Sequence, residues 1–229
     1  AGELVVEEHT QTSIGELCAG NVDLLLATPY TAARAETVCG AVMLLVAAKH
    51  GLLRYRSAIV VRNDSSIRTL EALSGATILF EDTGSTAAYA IPRAMIERAG
   101  LRMIPEDHAP GVGEVRMRFV GNELNIIGGV VHGRATAGAL SSDDLGGYEG
   151  ADVRVLAESA LVPRQLVVAR PGLDPALTLR LVHASCVDGD EARANALTLA
   201  EIGRFDRVNE SDDAAVHAVR AAMLDGEAR

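Results

Sequence analysis

Apolar residues in this chain fall into short blocks separated by polar, glycine- or proline-bearing turns. Leu4 to Glu7 and Val22 to Ala27 read as strands around a helix over Ser13 to Ala19, a spacing that suits a tightly wound α/β unit. A long apolar region from Val38 leads into the β-rich run Tyr55 to Val61, which ends at the turn residues Asn63 to Ser66. Leu70 to Leu73 look helical, and Ala76 to Phe80 form a buried strand. A helix then runs to Ala99, with Gly100 as its stop. Ile104 to Gly113 is rich in proline, glycine and charge and reads as a loop before a strand over Val115 to Val120. Further along, Asn122 to His132 predicts a helix, and Ala135 to Leu140, Val153 to Ala157 and Leu166 to Ala169 predict strands, while the stretch from Asp174 reads as mostly helical. The alternation of α and β predicts parallel sheets flanked by helices.

At 229 residues and 48% hydrophobic, the chain is large enough for two lobes, each with its own core. Its longest uncharged apolar run, Val38 to Ala48, is about half of the ~20 residues a membrane-spanning helix requires. The first residues lack the basic and apolar regions of a secretory signal, so any such signal is expected to have been removed or never present. A net charge of −10, with 20 scattered arginines and one lysine, excludes the basic stripe that nucleic-acid binding needs. Cys18, Cys39 and Cys186 are too dispersed for a disulfide framework or a zinc site and are expected to be small buried thiols. His9, His50, His108, His132, His183 and His217 show no metal-ligand spacing, and no cofactor is implied.

The segment with most chemical content is Glu81-Asp82-Thr83-Gly84-Ser85-Thr86, between the buried strand and its helix. The first N–H groups of a helix lack intrahelical partners and can donate to a ligand oxygen. The helix dipole favours an anion there, and glycine permits close approach. The Ser85 and Thr86 hydroxyls add donors suited to a tetrahedral oxyanion. Pro92 denies a hydrogen bond to the Ala88 carbonyl, which predicts a first turn aimed separately from the rest. The same residues also suit an ordinary N-cap, and spacing does not separate the two readings. No Walker loop or nucleophile elbow is present here.

The run GSTAAYAIPR, Gly84 to Arg93, resembles the helix-start motif of the phosphonate, phosphite and phosphate substrate-binding proteins of ABC transporters. YRSAIVVRNDSSI, Tyr55 to Ile67, is similar to that family's hinge-crossing strand, ESALVPRQLVVAR, Glu158 to Arg170, to its return strand, and RVNESDDAAVHAVR, Arg207 to Arg220, to its terminal segment. The resemblance implies a type II periplasmic-binding-protein fold, with two mostly parallel α/β lobes, two hinge strands and ligand in the cleft between them. Lobe I would comprise residues 1–60 and 161–229, and lobe II residues 61–160. Leu4 to Glu7 align with the family's second strand, so upstream residues carrying the first strand and helix are expected.

By the same resemblance, Ser85 and Thr86 contact ligand, Ala87 offers its N–H where the family has a third hydroxyl, and Tyr55 takes the place of the hinge tyrosine, a position that packing alone would also explain. Glu123 stands where many members carry histidine. It either reads the ammonium of an aminoalkyl phosphonate or faces solvent. Ser141, Ser142 and Asp143 occupy a strand-end loop that supplies polar contacts, and the loop Thr28-Pro29-Tyr30 lies at the corresponding place in lobe I. Arg164 supplies positive charge to the cleft or lies in a solvated hinge.

The function implied is a non-catalytic, monomeric solute-binding component, periplasmic or extracellular and membrane-anchored, that delivers a small oxyanion to a membrane permease. The alternatives are a ligand-sensing module of a signalling protein, or a lyase or transferase on the same fold.

Overall fold

A computed structural model of the chain describes residues 10–174, 176–178, 180 and 202–227. The strand read at Leu4 to Glu7 and Cys186 lie outside the described residues. The chain divides into two compact units, one of Ala1–Arg54 with Val162–Arg220 and one of Tyr55–Leu161 with Ala221–Arg229.

In the first unit, α1 (Thr10–Ala19) and α2 (Pro29–Cys39) flank β1 (Leu24–Ala27), and β2 (Val42–Lys49) follows. Thr28, Pro29 and Tyr30 do not form the expected loop. Thr28 caps α2, its hydroxyl accepting from the Thr31 N–H at 3.3 Å, and Pro29 opens the helix, where its missing N–H is not needed. Two short segments, β3 (Arg54–Tyr55) and β10 (Val162–Pro163), pair as a ribbon. They precede, respectively, β4 (Ser57–Arg62) and β11 (Gln165–Ala169).

The sheet of this unit has the order β1-β11-β2-β12, where β12 is Ile202–Arg207. All its described pairs are antiparallel, not parallel as alternation predicts. The reason is that β11 inserts between β1 and β2, which share a direction, and runs against both. The strand β12 also replaces part of the helix expected beyond Asp174. It is followed by α6 (Glu210–Glu227). Ile14, Leu17, Val46, Leu166, Val168 and Val216 form the core of this unit.

Cys18 and Cys39 are joined by a disulfide, which corrects the expectation of free thiols. They lie 21 residues apart in sequence, but α1 packs on α2 and brings their Cα atoms to 5.6 Å. Spacing could not show this, because the pairing depends on how two helices meet.

A capping box starts α6. The Asn209 side chain accepts from the Asp212 N–H at 3.0 Å, and Asp212 accepts from the Asn209 N–H at 3.2 Å. The Asp212 carboxylate also receives a bidentate pair from Arg54, both contacts at 2.8 Å, and is 1% exposed.

The second unit is built on a six-stranded sheet of order β6-β7-β5-β8-β4-β9. Its remaining strands are β5 (Thr77–Phe80), β6 (Arg102–Ile104), β7 (Glu114–Phe119), β8 (Ala137–Ser141) and β9 (Val153–Glu158). Strands β5 to β8 are mutually parallel along the sheet, and β4 runs antiparallel to both β8 and β9. The helices are α3 (Ile91–Arg98), α4 (Glu123–Val131) and α5 (Ser142–Gly146), with a π-helical turn over Thr86–Ala90 leading into α3.

Buried Ile59, Val60, Ile78, Phe80, Ile126 and Leu140 fill this unit's interior. Helix α4 lies close on the sheet because Gly129 and Gly138 carry no side chain. A Cβ at Gly138 would sit 2.4 Å from Ile126 Cγ2, and one at Gly129 2.3 Å from Leu79 Cδ1.

Candidate functional site

The site is built at one edge of the second unit's sheet. The π-turn with α3, then α4 and then α5 follow β5, β7 and β8 in turn, and these three strands are parallel. Three helix N-termini therefore gather at the strands' C-terminal ends, where ligands of open α/β sheets bind. Each is capped by a side chain. Ser85 accepts from the Ala88 N–H at 3.1 Å, Asn122 from the Asn125 N–H at 2.9 Å, and Ser141 from the Asp144 N–H at 3.1 Å.

The start of the helix at 84–90 is held from beneath. Pro92 leaves the Ala88 carbonyl without its helical donor, and the Glu81 N–H takes that place at 3.3 Å. The buried Ser57 hydroxyl donates to the Ala87 carbonyl at 2.5 Å. Within the turn, Ala90 N–H bonds to the Ser85 carbonyl at 3.0 Å, the wide five-residue step of a π-turn. The separately aimed first turn expected from Pro92 takes this form. Tyr89 packs edge-on against Phe80 and Phe119, at centroid distances of 5.4 and 5.1 Å, and its hydroxyl accepts from Arg93 at 2.9 Å.

The donors are fewer than the sequence suggests. The Gly84 N–H bonds to the Asp82 side chain at 2.6 Å and the Ser85 N–H to the Asp82 carbonyl at 3.3 Å. With Ala88 capped, the Ala87 N–H takes no partner among the described residues. Asp82 thus folds the glycine turn back on itself, which a helix-start motif alone does not reveal.

Among the residues singled out by sequence, Ser85, Thr86, Ala87, Glu123 and Ser141 belong to this edge. Thr86 is 1% exposed and Ser141 is equally buried. Ser141 lies opposite Ser57 in the β8–β4 register, and its hydroxyl also meets the Asp144 carboxylate. Ser142 and Asp143 form the first turn of α5 and not a loop, because Ser141 caps them. Glu123 is the first residue of α4 and is half-buried. Tyr55 is buried in the same unit at the end of β3. Tyr30, buried on α2, and Arg164, half-buried after Pro163, belong to the first unit. The Arg164 N–H bonds to the Leu53 carbonyl at 2.8 Å.

Sequence reasoning missed Glu81. Its carboxyl is pushed up to about 7, chiefly by burial and then by the negative charges of Glu123, Asp82 and Asp144, against an opposing hydrogen bond from Ser85. Its position directly after a buried strand and four residues before the capping serine was the available signal. Ser57 was missed as well, since nothing local ties a strand serine to a helix thirty residues on.

In fold, the chain is similar to XAC2383 from Xanthomonas citri bound to ATP, with a TM-score of 0.89 and 25% identity over 99% of this chain and 86% of that one. The same protein bound to a chloride ion gives a TM-score of 0.85 at 25% identity, over 95% and 82%. PhnD1 from Prochlorococcus marinus (MIT 9301) in complex with methylphosphonate shares the fold, with a TM-score of 0.68 and 14% identity over 95% and 84%. None of the curated proteins matches the chain. The architecture is that of the type II periplasmic binding proteins. The signature of a family of transporter substrate-binding proteins, which are not enzymes, matches residues 2–215. This chain belongs to that family, the phosphonate ABC transporter periplasmic substrate-binding proteins.

Proposed function

We propose that this chain is the solute-binding component of an ABC uptake system for phosphonate-, phosphite- or phosphate-like oxyanions, and that the ligand's oxygens are held at the helix start 84–87. The observation that carries this reading is the gathering of three capped helix N-termini at one sheet edge, with the Ala87 N–H open and the Ser85 and Thr86 hydroxyls beside it. Tyr55, Glu123, Ser141, Tyr30 and Arg164 are assigned to the same ligand. On this reading the units are lobes that close over the ligand, and scattering with and without it should register a smaller radius of gyration. The partner is a membrane permease, and the protein works as a monomer in the periplasm or anchored outside the cell. The Cys18–Cys39 disulfide suits such an oxidising compartment.

Calorimetric titration with phosphate, phosphite, methylphosphonate and 2-aminoethylphosphonate tests the site. Ser85→Ala/Thr86→Ala should weaken every ligand, and unchanged affinity for all four would overturn the assignment. Glu123→Gln should weaken only the amine-bearing ligand if Glu123 reads an ammonium group. Improved binding of all four would instead mean that Glu123 merely repels them.

A second reading, in which the ligand is a nucleotide and not a small oxyanion, is favoured by the likeness to XAC2383 bound to ATP. On that reading the helix start takes the phosphoryl oxygens of a nucleotide. Tight binding of ATP with no binding of the four small oxyanions would decide for it.

A further inference from the structure

We propose that the second unit carries a separate anion site at the opposite edge of its sheet from residues 84–87, and that this site takes a free oxyanion of two or more negative charges. It shares no residue with the helix start at 84–87 and stands or falls independently of that reading.

The site follows from strand register. Gly138 on β8 pairs with Val60 on β4 and with Leu79 on β5. Leu79 and Gly138 face α4, since a Cβ at Gly129 of that helix would meet Leu79 and one at Gly138 would meet Ile126 and Val130. Side chains alternate along a strand, so two positions further toward that edge the same face carries Arg62, Thr136 and Thr77. Arg116 on β7 pairs with Thr77 and completes the row. Four neighbouring segments thus present arginine, threonine, threonine and arginine side by side beneath the C-terminal end of α4. The Thr136 N–H donates to the Thr77 carbonyl at 3.0 Å and holds the middle pair together.

The chain leaves α4 through Gly133, whose left-handed φ of 66° turns it back toward the sheet, and Arg134 follows. Arg62, Ser65, Thr77, Arg134 and Thr136 line a cavity of about 410 Å³, a volume typical of small-molecule sites.

Donors in this cavity outnumber acceptors. Thr77 is 8% exposed, and its hydroxyl oxygen accepts from Arg116 Nε at 3.1 Å and from Arg116 Nη2 at 2.9 Å. Both lone pairs are thereby used, and the hydroxyl hydrogen remains to be given. That hydrogen, the Thr136 hydroxyl and the Arg134 guanidinium take no partner among the described residues. The carboxylate in the lining, Asp64, is already held by Arg62 in a bidentate pair, with Nε at 2.6 Å from Oδ1. Nor does α4 offer bare carbonyls, because those of Gly128, Gly129 and Val130 accept from the N–H groups of His132, Arg134 and Gly133.

The charges of Arg116 and Arg134 are therefore uncompensated among the described residues, in a chain whose net charge is −10. Guanidinium and hydroxyl donors without acceptors select an oxyanion, and two spare positive charges favour one that carries at least two negative charges. Because the Thr77 hydroxyl is buried, the anion that reaches it is compact and free, and not a headgroup fixed in a membrane surface.

The test uses pyrophosphate as the probe, titrated into wild type, Arg134→Gln, Thr136→Val and Ser85→Ala/Thr86→Ala, and followed by proton–nitrogen correlation spectra of backbone amides and arginine Nε–H groups. Saturable shifts are expected at Thr77, Arg134 and Thr136 and at the Nε–H signals of Arg116 and Arg134. Arg134→Gln, at an exposed position the fold tolerates, should weaken this binding about tenfold, and Thr136→Val roughly threefold. The Ser85→Ala/Thr86→Ala protein should show the same shifts at the same concentrations as wild type.

Shifts confined to residues 84–88, or equal affinity in Arg134→Gln and wild type, would overturn the proposal. So would a response that spreads over surface arginines without saturating, the mark of an adventitious ion only. Sedimentation with phosphatidylglycerol vesicles forms a further arm. Vesicle binding abolished by Arg134→Gln, with no response to pyrophosphate, would replace the free anion with a lipid headgroup and sink the site as proposed.

Discussion

The Ser57 hydroxyl donates to the Ala87 carbonyl at 2.5 Å, across thirty residues of sequence and inside the protein. Ser57 opens a sheet strand and Ala87 lies in the first turn of a helix, so one hydrogen bond fixes where that turn sits relative to the sheet. Its other main-chain bonds reinforce the position, since Ser57 N–H reaches the Ser159 hydroxyl at 3.0 Å and its carbonyl accepts from Ser159 N–H at 2.9 Å.

Ser57→Ala should therefore lower stability by about 1–3 kcal/mol, because it leaves the buried Ala87 carbonyl short of a donor. It should also weaken oxyanion affinity, through a turn no longer held in place. Urea unfolding and calorimetry on the same preparation check both, and loss of affinity with unchanged stability would contradict this account.

Arg54 and Asp212 join the end of the first unit's N-terminal segment to its last described helix. Asp212→Ala removes both a cap and a charged partner, and a loss of roughly 2–4 kcal/mol is expected. Arg54→Met should lose less, as its side chain is one-third exposed and its stem can still pack. Thermal unfolding of the two variants measures the difference.

Stability should respond to pH through Glu81 in a definite direction. Its carboxyl moves from an ordinary 4.5 to about 7 on folding, so the folded chain holds the proton more tightly. This contribution is complete below pH 4.5 and is lost as pH rises to about 7, beyond which it is level. Allowing for solvent screening of a half-buried group, roughly 1–2 kcal/mol is at stake. The difference between wild type and Glu81→Gln in urea unfolding at pH 5 and pH 8 isolates it from other carboxylates. Those lowered on folding, such as Asp64 and Glu114, act in the opposite sense.

Reduction of Cys18–Cys39 reopens a loop spanning 21 residues and should cost about 3 kcal/mol, by the entropy returned to the unfolded chain. Melting curves with and without a reductant, and of Cys18→Ala/Cys39→Ala, should agree with each other and lie below the oxidised wild type.

How much was legible in advance varied with the range of the interaction. Strand β5 and the helix start after it were readable, because a buried apolar run, a glycine and two hydroxyl residues announce themselves within a few positions. Strand β12 was read as helix, since its pairing with β2 lies far away in sequence. The antiparallel sheet of the first unit was missed for the same reason, as no local pattern records that β11 inserts between β1 and β2.

The sequence by itself determined the α/β class, the family and the place of the glycine turn and helix start at 84–86, since these rest on local periodicity, capping chemistry and short runs such as GSTAAYAIPR. Only the tertiary structure decided that Asp82 occupies the Gly84 N–H, that Ser57 anchors Ala87 and that Cys18 meets Cys39. Those relationships follow from which backbones the fold brings within a few ångströms of one another. Hydrogen bonds and charges act over such distances, whereas residue spacing along the chain records only the neighbours a segment has within itself.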